Sequence, residues 1–170
     1  RGSERRHRHL AVPAERAWDA IARWDLLHLW FPGVVDCRAE GSSRWVTTAA
    51  GLTLEEQILL VDAVQRRLQY RIAGGFFSEH LATVDVLATG PDECVVVYAT
   101  DAAPATMAVI LGGAMEGALV ELAVAVVVTA LVAVVEHDVQ VPVTSPPVSG
   151  SRVMSEMSFV PDAAPPVLTI

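Results

Sequence analysis

Two hydrophobic periods divide the chain. Between residues 34 and 100, apolar and polar positions alternate through six short runs, 34–40, 44–50, 54–62, 65–73, 80–88 and 94–100, which is the two-residue period of half-buried strands. Gly41-Ser42-Ser43 separates the first two runs and Gly90-Pro91-Asp92-Glu93 the last two, both turn-forming in composition. Such a meander contains no crossover helices, so it predicts an antiparallel sheet. Residues 4–12, polar but short and stopped by Pro13, supply a seventh strand.

The period changes at Asp101. Met107, Leu111, Met115, Ala118, Leu119, Leu122 and Val126 recur at steps of three and four, one stripe of an α-helix, with Glu116 on the opposite side. Asp101 is expected to cap this helix and Pro104 to sit in its first turn. Gly112, Gly113 and Gly117 each cost a helix about 1 kcal/mol relative to Ala, which predicts close approach of its backbone to sheet, ligand or partner. Residues 122–135 are continuously apolar but fall short of the roughly 20 residues of a membrane span. They predict burial in protein at a subunit contact, and hence a homodimer, rather than a membrane anchor. Earlier, Pro13 opens a helix that places Trp18, Ile21 and Ala22 on one side, and Asp25 caps a second short helix ending at Trp30-Phe31-Pro32-Gly33. The expected architecture is α+β: a curved seven-stranded antiparallel sheet wrapped around one long C-terminal helix, with a pocket between them.

Length changes the picture little, since 170 residues suit one domain with a tail. The domain is expected over 1–135 and a Pro-rich extended tail over 136–170, which holds six of the ten prolines. Val139, Val141 and Val143 alternate there, and Met154, Met157 and Phe159 are apolar, so parts of the tail could add as strands to a sheet edge or to a neighbouring chain. A net charge of −8 argues against nucleic acid as a partner. Every basic residue is Arg, and eleven of the twelve stand at or before Arg71, so the first half could still meet an anionic ligand. Cys37 and Cys94 have no paired spacing and read as buried free thiols; with no signal-peptide pattern at the start, a cytoplasmic location is expected.

Glu56 is the most informative candidate. Alternation places it on the face of Leu54, Ile58 and Leu60, where apolar surroundings would raise its pKa and suit it to proton transfer. Otherwise it pairs with Arg38, Arg44 or Arg71 on a neighbouring strand. Tyr70 shares a face with Leu68 and Ile72, and Tyr98 with Cys94 and Val96; each is either a core residue or a hydroxyl offered to a ligand. His28 and His80 could act as acid or base near neutral pH, or could simply face solvent. His7 and His9 point the same way but lack a third ligand, and no zinc motif, phosphate-binding glycine loop or nucleophile–base–acid spacing occurs. Neither metal nor cofactor is therefore expected.

The runs Val12-Pro13-Ala14-Glu15-Arg16-Ala17-Trp18 and Trp30-Phe31-Pro32-Gly33-Val34, with Trp24-Asp25 before the latter and Glu56, Asp62, Arg67 and Tyr70 after it, resemble the START/Bet v 1-like (SRPBCC) superfamily, in its polyketide cyclase/dehydrase-like branch. The resemblance covers about residues 5–125 and departs from the family beyond them, where an atypical C-terminal extension follows. It implies a helix-grip fold enclosing an apolar cavity for a lipid, polyketide or aromatic molecule. The plant hormone receptors' gate sequence is absent, so hormone sensing is not carried over. The family places Trp30, Phe31, Phe76 and Phe77 at the cavity mouth. Met107, Leu111 and Met115 would line the cavity with Tyr98, and its volume is expected at about 300 to 1,000 Å³. The resulting expectation is a binding protein for a hydrophobic small molecule. A cyclase or dehydratase using Glu56 with Tyr70 or His80 is the alternative, and an interaction protein associating through the Val-rich run and tail is a further one.

Overall fold

The computed structural model describes residues 1–138, with side chains up to residue 129. The tail over 139–170, including its expected strand segments, lies outside the described residues. Strand β1 (Gly2–Leu10) is followed by helix α1 (Ala14–Ala22) and a 3₁₀ helix (Trp24–Leu29). Strands β2 (Val34–Glu40), β3 (Ser43–Thr48), β4 (Thr53–Asp62), β5 (Arg67–Ile72), β6 (Glu79–Gly90) and β7 (Glu93–Ala103) then lead into helix α2 (Ala105–Asp138). The seven strands form one antiparallel sheet in the order β1-β7-β6-β5-β4-β3-β2. This is the helix-grip arrangement expected from the sequence.

Period-two alternation explains which face is inside. Cys94, Val96, Tyr98, Thr100 and Ala102 on β7, with Ala82, Val84 and Val86 on β6, are buried, while their sequence neighbours stay more exposed. Helix α2 lies over β1 and β7, α1 over β6 and β7, and the 3₁₀ helix over β2 and β3. The expected stripe on α2 is buried from Met115 through Ala118, Leu119 and Leu122 to Val126, while Met107 and Leu111 are half-buried. Full burial of each large apolar side chain contributes roughly 1.5–3 kcal/mol. The segment Ala105–Thr129 holds a window of mean hydropathy 1.9 and has the length to cross a bilayer, yet this stripe makes it the core helix of the fold.

Several expectations are corrected. Asp101 does not cap α2: β7 continues to Ala103, and the alternation turns Asp101 outward, where Ser3 donates a hydrogen bond to it. Gly112 does meet β1, since an added Cβ would stand 3.1 Å from both Arg6 Nη2 and Glu4 Cγ, but Gly113 has open space around it. Along the part of the Val-rich run whose side chains are described, Leu122 and Val126 face the core while Val124, Val127 and Val128 are about half exposed on the single chain, the side on which the expected subunit contact would fall. On β4, a register shift between Ile58 and Leu60 ends the alternation, so Leu60 leaves the inner face and joins exposed Leu59 and Val61. Strand β5 begins at Arg67 rather than residue 65, because Asp62 Oδ1 accepts the Val64 and Gln65 amides at 2.9 Å each and folds them into a turn.

Candidate functional site

Helix α2 covers β1 and β7, α1 covers β6 and β7, and the 3₁₀ helix covers β2 and β3, which leaves the inner face of β4 and β5 uncovered between them. A cavity of about 300 Å³ occupies that space. Its apolar wall comes from Val46, Leu54 and Ile72 on the sheet, Leu27 in the 3₁₀ helix and Phe31 just after it, and Leu111, Ala114 and Met115 on α2. Pro32 and Gly33 are the exposed residues of the lining and mark the mouth. They form a type II turn, in which Val34 N–H donates to Phe31 C=O at 3.2 Å and Gly33 takes a φ of +78° that a side chain would strain. Small Ala82, between Tyr70 and Thr100 in the strand register, leaves space above the sheet.

Six polar residues line this space, Thr48, Glu56, Tyr70, His80, Tyr98 and Thr100, and of these Thr48 turns its hydroxyl to the Leu52 backbone. The β3–β4 register puts Arg44 directly opposite Glu56, which selects Arg44 from the three possible partners. Arg44 Nε donates to Glu56 Oε2 at 2.5 Å and Nη1 to the Trp24 carbonyl at 2.7 Å, while the guanidinium sits 4.8 Å from the centre of the Tyr70 ring. Arg44 is 1% exposed and Glu56 6%, so the pair is dry. Burial pushes the Glu56 carboxyl above its usual range, and Arg44 pulls it back only in part. Burial, the largest single influence, opposes the charge on Arg44 as well, but the combined pull of its neighbours, Glu56 foremost, outweighs it and holds the guanidinium charged.

The Tyr70 and Tyr98 hydroxyls hydrogen-bond to each other. Burial raises both phenols, Tyr98 to about 12, so both are neutral donors. His80 Nδ1 accepts the Ile72 amide at 2.9 Å, which places its proton on Nε2, 3.2 Å from Thr100 Oγ1. Burial lowers its pKa to about 4, so at neutral pH the ring is uncharged rather than poised to exchange protons.

This yields a pH prediction. A histidine lowered from about 6.5 contributes stability that is complete above its unfolded pKa and lost as pH falls from 6.5 through 4. Because the ring is only half-buried, the effect is on the order of 2 kcal/mol after solvent screening. His80→Gln, which can accept from Ile72 and donate to Thr100, should flatten the stability curve between pH 6.5 and 4 in urea titrations. An unchanged slope would remove His80 as its source.

The other expected site residues divide. Phe31, Tyr98, Leu111 and Met115 line the cavity with Glu56, Tyr70 and His80. Trp30, Phe76, Phe77 and Met107 do not. Trp30 is buried in the main core, with an unpartnered ring N–H, and Phe76 is 65% exposed on the β5–β6 turn. Phe77 turns inward against the His80 ring at 5.3 Å and, with Met107, packs in a second small core around Ile72, Ala102 and Ala108. His28 is half-buried, and His7 and His9 lie on the exposed side of β1 with ring centres 6.2 Å apart. Among the described residues no group of three or more His, Cys, Asp or Glu side chains is placed to hold a metal. Burial raises the thiols of half-buried Cys37 and buried Cys94, which makes them poor nucleophiles. The sequence leaves Arg44 as one of three possible partners of Glu56 and does not single out Thr100 as a cavity donor. Continuing the Cys94, Val96, Tyr98 alternation by one step would have found Thr100.

A family model described as polyketide cyclase/dehydrase and lipid transport matches residues 3–136. Among solved structures, the XoxI protein of Bacillus cereus is 18% identical, with a TM-score of 0.69 over 75% of this chain and 96% of that one. A solution structure from Thermobifida fusca is 26% identical, with a TM-score of 0.62 over 71% and 90% of the two chains. A point mutant of a Thalictrum norcoclaurine synthase, in complex with a transition-state analogue, is 18% identical, with a TM-score of 0.59 over 75% and 95%. No curated protein matches the chain.

Proposed function

The chain belongs to the polyketide cyclase/dehydrase and lipid transport family, and from that premise we propose that it binds a hydrophobic small molecule in the cavity between α2 and the central strands. The observation that carries this reading is a cavity of about 300 Å³ whose apolar wall is broken by a few convergent polar groups. That combination gives a ligand both its binding surface and its orientation. A cytoplasmic setting fits the two unpaired thiols. Purification from the native source under mild conditions, followed by mass spectrometry of the extract, should recover an apolar ligand in stoichiometric amount. A protein that carries nothing, and that does not take up an apolar fluorescent dye displaceable by such extracts, would sink the reading.

The raised carboxyl of Glu56 on the cavity wall favours a second reading, an enzyme of the cyclase or dehydratase type with Glu56 as acid or base and Tyr70 as hydroxyl donor. The short bond to Arg44 weakens that role, because a paired carboxylate is a poorer base. With a candidate substrate in hand, Glu56→Gln should lower turnover by roughly 10² to 10⁴ at nearly constant affinity if the residue transfers a proton. Loss of stability together with affinity would assign it to structure and binding alone.

A further inference from the structure

We propose that the cavity selects its ligand by charge, accepting molecules whose polar end is an uncharged hydroxyl and turning away the corresponding carboxylates. This rests on the reading of the cavity as a ligand site and adds what that site discriminates. Among the described residues, Glu56 is the one acidic side chain on the wall, and no arginine stands on the wall with it. Its counter-charge is set behind it: Arg44 Nε is engaged by Glu56 Oε2, Nη1 by the Trp24 carbonyl, and the guanidinium face by Tyr70. A ligand carboxylate entering this dry space would meet a like charge and lose its own hydration.

Proton counting gives the attractive half of the argument. The Ile72 amide fills His80 Nδ1, so His80 Nε2 donates to Thr100 Oγ1, and the Thr100 hydroxyl keeps its own proton to give. Tyr70 and Tyr98 share one hydrogen bond but own two phenolic protons, so one is left to donate. Glu56 spends one oxygen on Arg44 and retains lone pairs on the other. The wall therefore presents donors and an acceptor together. Tyr70, Ala82 and Thr100 are successive cross-strand neighbours, and Glu56 lies opposite Ile72, the inward residue next along β5 from Tyr70. A ligand hydroxyl satisfies both kinds of group, accepting from Thr100 or a tyrosine and donating to Glu56. A carboxylate can only accept, and a ligand without a polar end leaves the donors unmet.

The test uses three probes with one ring system, naphthalene, 2-naphthol and 2-naphthoate, titrated into the full chain at pH 7 by calorimetry. The expected result is naphthol binding at least about 30-fold more tightly than naphthoate, as discrimination by an opposed charge and an unmet donor implies. Glu56→Gln, which removes the wall charge, should narrow that gap to within about threefold. Thr100→Val should weaken naphthol about tenfold relative to naphthalene, and this comparison stands even where Glu56→Gln fails to fold. Naphthoate binding as tightly as naphthol to the unmodified chain overturns the charge selection while leaving the ligand site intact. Failure of all three probes to bind removes the ligand site and this proposal together.

Discussion

Replacing Arg44 with Met is expected to destabilise the protein by roughly 3–5 kcal/mol, the usual consequence of removing one partner from a buried ion pair. The side chain is almost wholly enclosed and holds Glu56, the Trp24 carbonyl and the Tyr70 ring at once, so its loss leaves the buried Glu56 carboxylate without its counter-charge. Urea unfolding at pH 7 measures the effect. The sign of its pH dependence follows from Glu56, whose carboxyl is already raised by burial and would rise further without Arg44. A raised acid contributes stability that is complete below its unfolded pKa and lost as pH climbs through the folded one, so the penalty of Arg44→Met should be smallest in acid. Adding Glu56→Leu to Arg44→Met should recover most of the loss, since apolar replacements of a buried pair are often neutral or better. A cost below about 1 kcal/mol for Arg44→Met would mean the pair is wet and worth no more than a surface ion pair.

Ala82→Leu is expected to lower affinity for any cavity ligand by at least about 100-fold while changing stability by less than about 1 kcal/mol. Ala82 is buried in the register between Tyr70 and Thr100, and its small side chain helps leave the space above the sheet empty. A larger residue normally strains a packed core, but here the added atoms would project into existing space. Calorimetry with 2-naphthol and thermal unfolding of the same variant separate the two effects. Undiminished affinity with unchanged melting would place the ligand elsewhere.

The sheet was legible because alternation is a local property, and Glu56, Tyr70 and Tyr98 could be set on the inner face from the sequence alone. Pairings between strands were not. Choosing Arg44 over Arg38 or Arg71 requires the β3–β4 register, and the contact between the Tyr70 and Tyr98 hydroxyls requires β5, β6 and β7 to be laid side by side. Leu60 departs from the face that alternation predicts because one extra residue in β4 reverses the pattern without any glycine or proline to announce it. The aromatic residues failed for another reason: Trp30, Phe76 and Phe77 lie in loops, where no period dictates direction. Phe31 reaches the cavity beside its mouth, while Trp30, one residue earlier, points into the core.

The order of the sheet also governs when the cavity can exist. Strand β1 is the first made, yet its partner is β7, and Ser3 bonds to Asp101 98 residues away. The meander from β2 to β7 can pair stepwise by short turns, whereas β1 must wait for a closure across almost the whole sheet, a topology that makes folding slow. Helix α2 rests on β1 and β7, so its seat is complete only after that closure. During synthesis the inner face of β3 to β6, with its charge pair, therefore stands unroofed until β7 and the helix behind it have emerged, so apolar surface stays open to unwanted association until the cavity closes.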